Sequence, residues 1–575
     1  MPGVFFGPAT QIGACDACLD SRMPLYRVLV IGGYGFFGRR LVERLARSPD
    51  LHLIVAGRSA AQGLALVDAL RGAARAQLGC ATLDADAPAF ADDLKALAPD
   101  VTVHTSGPFQ GQRYHVAQAC MAAGAHYIDL ADGRDFVVGI SSLNQAALDR
   151  GLSVISGASS VPALSDAAAR HLAQGLTRVD HIDIGISPGN RTERGLATVR
   201  AILSYCGKAL PAVEHRPRFG WIGSRRHLYP APVGERLLSP CDVPDLALLP
   251  GRHAGRPTIS FGAGLELPFL HRGMNALALL ARIGIVKDWS AHAVALKWLG
   301  DRFRGLGTNA GAMHVCVSGE TAEGIRRSRT WHLVATHGDG PFVPTLAAAA
   351  LIRKLQHGDA SLAGAQPCVG LLSLQDFARE SEGLHIDMHE SPATDALSLY
   401  ERVLGASYSQ LPTAVQRFHR LAGHTVLTGW VQTQAPSSLP ARLLAFCLGT
   451  PRRAGSGPLS FELDASAEAE CWTRHFPTRT MTSRMRLVAG KIQEKLGAAR
   501  LTFGLSVDDG RLRMELEGLR FMGLPCPRWL MPQVVAEETG KDDQLHFRVA
   551  AGVPLLGTVA AYDGHLDLGP VQASS

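Results

Sequence analysis

Three glycines at G-x-G-x-x-G spacing indicate a phosphate-binding turn. Gly33, Gly35 and Gly38 follow a short apolar run, Val28–Ile31, and precede a segment with helical character. In such a turn the first glycine permits a tight bend, the second lets a pyrophosphate approach the backbone, and the third lets the helix pack close to the strand. The start of the helix adds free N–H groups and a partial positive charge. We therefore predict a dinucleotide site at the turn residues Gly33, Tyr34, Gly35, Phe36, Phe37 and Gly38.

The residues after the second predicted strand indicate which dinucleotide is bound. The apolar run 51–56 closes a βαβ unit of roughly thirty residues, the size expected of a mononucleotide-binding half. An NAD site usually places Asp or Glu here for the ribose 2′-hydroxyl, whereas this chain has Gly57, Arg58 and Ser59. A guanidinium can pair with the extra 2′-phosphate, and the serine can add a hydroxyl. This pattern favours NADP, and the alternative is that Arg58 is a solvated loop charge.

The third predicted strand, 78–83, ends in two acidic residues, Asp84 and Asp86. Residues at this position commonly border the adenine pocket, so Asp84 is a candidate cofactor contact. Asp86 stands just before Pro88, which favours a helix N-cap there.

The fourth predicted strand, 101–105, leads into a loop that begins Ser106, Gly107 and Pro108. Ligands of doubly wound folds bind at the carboxyl edge of the sheet, where this loop lies. We therefore expect these three residues to contact the cofactor, with the nicotinamide nearby.

Reduction by a nicotinamide cofactor also requires a proton donor near the same edge. The titratable candidates there are Tyr127, Asp129 and His104. Because side chains alternate on a strand, Tyr127 and Asp129 share one face. Each also has a purely structural interpretation. Tyr127 could be a core aromatic, Asp129 could hold the following loop in place, and His104 could be a core histidine with its hydrogen bonds satisfied. We select Asp129 and Tyr127 as the catalytic candidates, and we predict no metal site.

Alternating elements between residues 25 and 160 predict the fold class. Six strand-like apolar runs alternate with helical segments, so the region is predicted to be an α/β domain with a Rossmann-type, doubly wound parallel sheet.

Beyond residue 160 the pattern changes to a mixed α+β substrate domain, predicted over 161–395. His181–Ile186 alternates apolar and polar residues as a half-buried antiparallel strand does. The alternating segments 312–318 and 329–336 predict a hairpin. Helices are predicted over 276–285, 291–303 and 344–354.

The last region, 396–575, is predicted to be a β-rich domain. Helices at 396–404 and 415–421 precede eight short alternating strands that are separated by turn signals. A cupped antiparallel sheet could hold an apolar ligand, or the region could be inert packing or a homodimer surface.

Composition excludes several classes of function. The 46% apolar and 19% charged residues are typical of a globular protein, and the net charge of +6 is small for 575 residues. No basic stripe with interleaved aromatics occurs, so nucleic-acid binding is not predicted. The odd number of eleven cysteines favours a reducing compartment, and we expect a cytoplasmic protein.

The sequence contains no run of about twenty apolar residues, so a transmembrane segment is not predicted. Residues 1–24 lack the pattern of a signal peptide and are expected to be a disordered leader, in which Cys15 and Cys18 form the one close cysteine pair. The most apolar helical stretch, 274–286, is short and interrupted by Arg282, so we expect a core or interfacial helix with peripheral membrane contact at most.

With these motifs in view, residues 25–390 resemble the saccharopine dehydrogenase-like family. The matching segments are 30–38, 56–58, 106–109, 127–130 and 157–162, with further similarity at 311–313, 340–344 and 370–374. Residues 397–575 resemble an uncharacterised domain that is often fused behind such dehydrogenases. That match rests on 411–412, 418–419 and 527–532.

The resemblance implies an NADP-dependent oxidoreductase that transfers hydride to a C=N, C=C or C=O bond of a small or lipid-like substrate. The namesake enzymes act on amino-acid C=N bonds, and other relatives are enoyl reductases. Basic residues that would match dicarboxylate recognition are not evident, although Arg191 and Arg194 are candidate anion contacts. The alternative is a non-catalytic NADP-binding protein whose β-rich domain binds a lipid or a protein partner.

Overall fold

The computed structural model describes residues 25–210, 218–322, 326–395, 397–421, 423–465 and 469–568. The predicted leader and its Cys15 and Cys18 pair lie outside these ranges. Three regions follow one another along the chain, and each contributes most of the strands of one sheet.

The first region alternates strands and helices as the sequence predicts. Its elements are β1 (Tyr26–Ile31), α1 (Phe36–Leu45), β2 (Leu51–Gly57), α2 (Ala60–Leu70), β3 (Gln77–Thr82), α3 (Phe90–Leu97), β4 (Val101–His104), α4 (His115–Ala122), β5 (His126–Asp129), α5 (Arg134–Gly139), α6 (Asn144–Leu148), β6 (Ser153–Ser156) and α7 (Ser165–Leu172).

The second region contains both helices and strands. Its elements are β7 (Arg178–Ser187), α8 (Leu196–Ser204), β8 (Arg225–Tyr229), β9 (Gly234–Pro240), α9 (Asp245–Leu248), β10 (Thr258–Ala263), α10 (Pro268–Arg282), α11 (Ala293–Asp301), β11 (Gly311–Glu320), β12 (Arg326–Ala335), α12 (Val343–Gln356), β13 (Gly364–Pro367), α13 (Leu374–Glu380) and β14 (Ile386–Asp395).

The third region is mostly strand. Its elements are α14 (Leu399–Leu404), α15 (Thr413–His419), β15 (Gly423–Gln434), α16 (Leu439–Leu448), β16 (Gly455–Ala465), β17 (Ala469–Phe476), β18 (Arg479–Val488), β19 (Lys491–Leu496), β20 (Ala499–Asp508), β21 (Arg511–Phe521), β22 (Leu524–Pro525), β23 (Gln533–Lys541), β24 (Gln544–Val553) and β25 (Gly557–Asp567).

The first sheet is parallel and doubly wound, which confirms the predicted fold class. Its strand order is β13-β6-β5-β4-β1-β2-β3. Val28 and Val30 pack into the core on one face, while Leu29 and Ile31 pack into the core on the other. Both faces are therefore covered, as the continuous apolar run of β1 requires. The order reverses between β1 and β4, and this switch point opens the crevice in which such sheets bind ligands.

The seventh strand of this sheet comes from far along the chain. The four-residue strand β13 pairs in parallel with β6, from Gly364 opposite Ser153 to Pro367 opposite Ser156. The chain therefore returns from the region 161–395, which we predicted as a separate substrate domain, to the dinucleotide-binding sheet. A short edge strand that ends in proline carries no apolar run, so the sequence pattern does not show it.

The second sheet is mixed, as predicted for the middle region. Its order is β14-β12-β11-β7-β10-β9-β8, in which β7 and β10 are parallel and the other pairs are antiparallel. The predicted hairpin is β11 with β12, and the predicted strand 181–186 lies within β7. The segment 187–260, which has few periodic signals, contributes β8, β9 and part of β10.

The third sheet is a closed barrel rather than the cupped sheet that the sequence suggested. Strands β15 to β21 and β23 to β25 form ten sequential antiparallel neighbours, and β25 pairs back onto β15. The predicted strands are all present within this region. The sequence analysis missed the strands β22, β23 and β25 and the helix α16.

Helix α10 lies at the surface of the middle region. Leu279 is 53% exposed and Ile283 is 60% exposed, while His271 and Ala278 are buried. Among the described residues, no helix combines the length and the apolar character that crossing a bilayer requires.

Candidate functional site

The glycine-rich turn after β1 has the geometry of a phosphate-binding loop. Gly32 adopts φ +77°, a left-handed conformation that favours glycine. Its N–H donates to the Ala56 carbonyl at 2.8 Å, and the Gly35 N–H donates to the Gly32 carbonyl at 2.8 Å. We assigned the tight bend to Gly33, but the left-handed residue is Gly32. The position of Gly33 requires glycine for a different, steric reason, since a Cβ there would lie 2.9 Å from the Val30 carbonyl oxygen.

Helix α1 begins immediately after this turn and presents free amides to the crevice. Gly35 is its exposed N-cap, and no side chain caps the helix. The N–H groups of Phe36, Phe37 and Gly38 therefore have no partner within the helix. Gly38 also lets the helix approach the strand, because a Cβ there would meet the Gly32 carbonyl oxygen and lie 2.7 Å from Thr105 Oγ1. These amides fit a pyrophosphate.

Tyr34 connects the phosphate turn to the end of β2. Its ring lies across Gly57, where a Cβ would come within 2.6 Å of the ring carbons and hydroxyl. The Tyr34 hydroxyl accepts a hydrogen bond of 2.7 Å from the Ser59 N–H. The glycine-rich turn and the loop after β2 therefore hold each other in place.

Arg58 extends from this loop into solvent. Its guanidinium forms no hydrogen bond or ion pair with any residue that the structure describes, and the side chain is exposed. The neighbouring Ser59 hydroxyl caps α2 by accepting from the Gln62 N–H at 3.4 Å. An unpaired cation beside a phosphate-binding turn is suited to a 2′-phosphate.

The strand ends at β3 and β4 complete the rim of the crevice. Asp84 Oδ1 accepts from the Asp86 N–H at 3.2 Å in a local turn. Asp86 is not a helix cap, because α3 begins at Phe90 after Ala89. The interpretation of Asp86 as an N-cap was wrong, since the chain makes a further turn between Asp84 and Ala87 before the helix starts.

The loop after β4 lies directly against the glycine-rich turn. Thr105 Oγ1 donates to the Ile31 carbonyl at 2.8 Å, and a Cβ on Gly32 would come within 2.5 Å of Ser106 Oγ. Gln112 Nε2 holds the loop by donating to the Pro108 carbonyl at 2.7 Å. The structure thus brings Ser106 to Pro108 beside the turn, as the sequence predicted.

The two catalytic candidates are buried in the sheet. Tyr127 is 1% exposed and its hydroxyl is 3.2 Å from Nδ1 of His104, which is also buried. Asp129 is fully buried, and its Oδ1 accepts from the Ala131 N–H, the Ser156 hydroxyl and the Gly157 N–H at 2.8–2.9 Å. Burial raises the pKa of Asp129 to about 6, despite these hydrogen bonds. A catalytic role for either residue stays a prediction.

Three residues beyond Asp129, the same loop carries a carboxyl group that the sequence analysis missed. Asp132 Oδ1 accepts from the Gln110 side-chain amide at 3.2 Å, and the residue is partly exposed. Desolvation raises the pKa of Asp132. A second acid three positions after a strand end was visible in the sequence, but only the structure places it beside the loop that follows β4.

The middle region meets the crevice at two points. A Cβ on Gly195, at the start of α8, would lie 3.3 Å from Phe36 of the phosphate turn. Arg134, after the loop of Asp132, forms an ion pair of 2.8 Å with Asp242. Of the two arginines that were candidate anion contacts, Arg194 donates to Asn190 at 3.0 Å, while the Arg191 side chain is exposed. Within the described ranges, no group of three or more His, Cys, Asp or Glu has the geometry to bind a metal ion.

Comparisons with known proteins agree with this geometry. Residues 28–155 match the saccharopine dehydrogenase NADP binding domain, and residues 411–566 match a domain of unknown function, DUF4166. No curated protein matches the chain in sequence.

Solved structures similar to the chain include two dehydrogenases. The L-Glu-forming saccharopine dehydrogenase of Saccharomyces cerevisiae is 13% identical, with a TM-score of 0.45 over 64% of this chain and 100% of that chain. Amine dehydrogenase from Mycobacterium smegmatis is 12% identical, with a TM-score of 0.34 over 60% of this chain and 94% of that chain. The family match at 28–155 supports an oxidoreductase that binds a nicotinamide dinucleotide. The chain joins a saccharopine dehydrogenase-type dinucleotide-binding domain to a C-terminal domain of unknown function.

Proposed function

We propose that the protein is an NADP-dependent oxidoreductase that reduces a C=N, C=C or C=O bond of a small or lipid-like substrate. The observation that carries this proposal is the exposed, unpaired guanidinium of Arg58 at the end of β2, beside the free amides of α1. The ribose-reading position has no carboxylate to bind a 2′-hydroxyl. Asp84, Ser106, Gly107 and Pro108 are the further proposed contacts, because they form the rim of the same crevice.

NADPH, when bound, would supply a hydride, so the chain must supply orientation and one proton. Asp132 is our candidate for the proton donor. Its carboxyl group is partly exposed, its pKa is raised by desolvation, and Gln110 fixes one oxygen. Asp129 then has a positioning role, since its three hydrogen bonds join the loop after β5 to the end of β6. Tyr127 contacts His104 and supports β4 beneath that loop.

The burial of Tyr127, Asp129 and His104 is the observation that favours the alternative, a non-catalytic NADP-binding protein. The two functions are separated by mixing the pure protein and NADPH with a panel of imines, enoyl thioesters and ketones. Loss of the absorbance of reduced nicotinamide with any compound supports the enzyme. Tight NADPH binding without turnover on the whole panel would support the alternative, and the absence of NADPH binding would contradict both.

A further inference from the structure

The C-terminal barrel encloses an apolar cavity. The ring of ten strands is closed, because β20 pairs with β21 at one seam and β25 pairs with β15. A cavity of about 340 Å³ lies inside it, lined by leucine, phenylalanine, methionine and valine side chains. This volume lies at the lower end of the range of small-molecule pockets, and barrels of this size can hold one ligand.

Helices cover the two ends of the barrel. Helix α16 packs against the start of β25, where Ala445 and Val559 share a small core. Helix α15 lies at the other end, where Arg417 donates to the carbonyl of Leu568, just after β25. Its Phe418 also lines the cavity. The cavity therefore lies between two helical covers.

One cation lies in the wall of this apolar space. Arg474, on β17, is only 8% exposed and lines the cavity. Its guanidinium lies 4.9 Å from the Trp472 ring centroid and donates one hydrogen bond, to Ser483 Oγ at 3.2 Å. It forms no ion pair with any residue in the described ranges. A buried cation without a carboxylate partner is costly, and apolar residues of similar volume usually replace such groups without loss of stability.

A hydroxyl group lies on the same inward face. The Tyr562 ring is 5.2 Å from the ring of Phe476, two residues beyond Arg474 on β17. Tyr562 is buried and lines the cavity, and its hydroxyl makes no hydrogen bond within the described part of the chain. Arg474 and Tyr562 therefore provide donors that the protein itself does not use.

The acidic residues of the lining are mostly paired elsewhere. Glu538 is 2.6 Å from His419, and Glu537 is 3.2 Å from Arg513. Glu494 lines the cavity without an ion pair to a described residue. The lining thus offers one cation, Arg474, and one acid, Glu494, without an ion-pair partner among the described residues.

We propose that the barrel binds a long-chain carboxylate, such as a fatty acid, with its carboxylate on Arg474 and Tyr562 and its chain along the apolar cavity. A single guanidinium in an apolar space is matched by a singly charged head group, whereas a phosphate would require more than one cation. The chain fills space that water occupies poorly. This site is separate from the dinucleotide crevice and does not depend on the proposed reductase activity.

The test compares three ligands that share one chain and differ in head group: dodecanoate, dodecanol and dodecylamine. Calorimetry and native mass spectrometry with the full chain should show one dodecanoate per protein, bound at least about tenfold more tightly than dodecanol. Dodecylamine should bind more weakly than both, because its charge repels Arg474. Equal affinity for the three ligands, or no binding of dodecanoate, would overturn the proposal.

Variants assign the effect to the head-group contacts. Arg474→Met should reduce dodecanoate affinity to that of dodecanol and leave dodecanol affinity unchanged, and Tyr562→Phe should have a smaller effect in the same direction. Glu494→Gln should increase dodecanoate affinity, because it removes a repelling charge. Thermal unfolding monitors folding, and Arg474→Met should be at least as stable as the parent protein. Unchanged dodecanoate affinity in both Arg474→Met and Tyr562→Phe would overturn the assignment.

Discussion

The Tyr34 hydroxyl accepts a 2.7 Å hydrogen bond from the Ser59 N–H, and this contact joins the two loops that we propose recognise the nucleotide. One loop presents the free amides of α1 and the other presents Arg58. Because both are held by the same tyrosine, the spacing between the proposed pyrophosphate site and the proposed 2′-phosphate site is set by the protein before a cofactor binds. This preorganisation reduces the conformational cost of binding.

The charge at Arg58 should determine the preference for NADPH. Arg58→Asp should weaken NADPH binding by about 1.5–3 kcal/mol, because it removes a charge-assisted pair, and should affect NADH much less. Arg75→Asp is the matched control. Arg75 is also exposed, but it precedes the amino end of β3, whereas Arg58 follows the carboxyl end of β2. Calorimetric titration of both nucleotides checks the prediction. Equal losses for NADPH and NADH, or an equal loss in the control, would contradict it.

The tyrosine contact itself can be removed without changing the charge of the site. Tyr34→Phe deletes the acceptor and should leave the Ser59 N–H unsatisfied, which costs about 1–3 kcal/mol if water does not replace it. We expect weaker binding of both NADPH and NADH, in contrast to the selective loss in Arg58→Asp. Nucleotide titrations together with urea unfolding measure the two effects. Unchanged affinity for both nucleotides would show that the loops hold their positions without the tyrosine.

If Asp132 donates the proton, its removal should affect the chemical step and not the binding of the cofactor. Asp132→Asn should lower kcat by about 10²–10⁴-fold with little change in NADPH affinity. In the parent enzyme the rate should fall as the pH rises through the raised pKa of Asp132, because the acid form is the donor. A pH–rate profile on a substrate from the panel measures both. A variant with parental kcat would contradict this role for Asp132 and would leave Asp129 and Tyr127 as the candidate donors.

The buried carboxyl group of Asp129 should make stability depend on pH. Its folded-state pKa of about 6 lies above that of an unfolded Asp, so the stability linked to its proton is present at low pH and is lost as the pH rises through 6. Asp129→Asn keeps an acceptor oxygen and removes this titration. The free energy of unfolding of the parent protein should therefore fall, relative to the variant, by about 2 kcal/mol between about pH 4 and pH 7. Urea unfolding at both pH values checks this, and a constant difference would contradict it.

Close packing at Gly38 predicts a steric effect on the dinucleotide site. Gly38→Ala places a Cβ against the Gly32 carbonyl and Thr105 Oγ1, so it should cost about 1–3 kcal/mol of stability and displace the phosphate turn. Gly72→Ala is the control, since a Cβ there has open space. Unfolding and NADPH titration of both variants measure the contrast. Equal behaviour of the two variants would mean that α1 can move away from the turn at little cost.

Local patterns predicted the elements that bind the nucleotide. The apolar run of β1, the glycine spacing and the position of Arg58 all depend on neighbours close in sequence, and the parallel sheet and the rim residues follow from them. The hairpin of β11 and β12 and most strands of the last region were likewise visible as alternation of apolar and polar residues. Residue type alone could not show whether Gly32 or Gly33 adopts the left-handed conformation, because both are glycine.

The arrangement of distant segments was decided by the tertiary structure alone. The strand β13 joins the first sheet through backbone hydrogen bonds, which do not depend on side-chain type, so its sequence carries little signal. The closure of β25 onto β15 converts a row of ordinary strands into a barrel and turns Arg474 from one of many arginines into a buried, unpaired cation. The sequence by itself indicated which residues could meet a dinucleotide, because each proposed contact belongs to a short motif at the end of one strand. The burial of Asp129, the exposure of Asp132 and the cavity of the barrel depend on contacts between residues far apart in sequence, and these exist only in the folded chain.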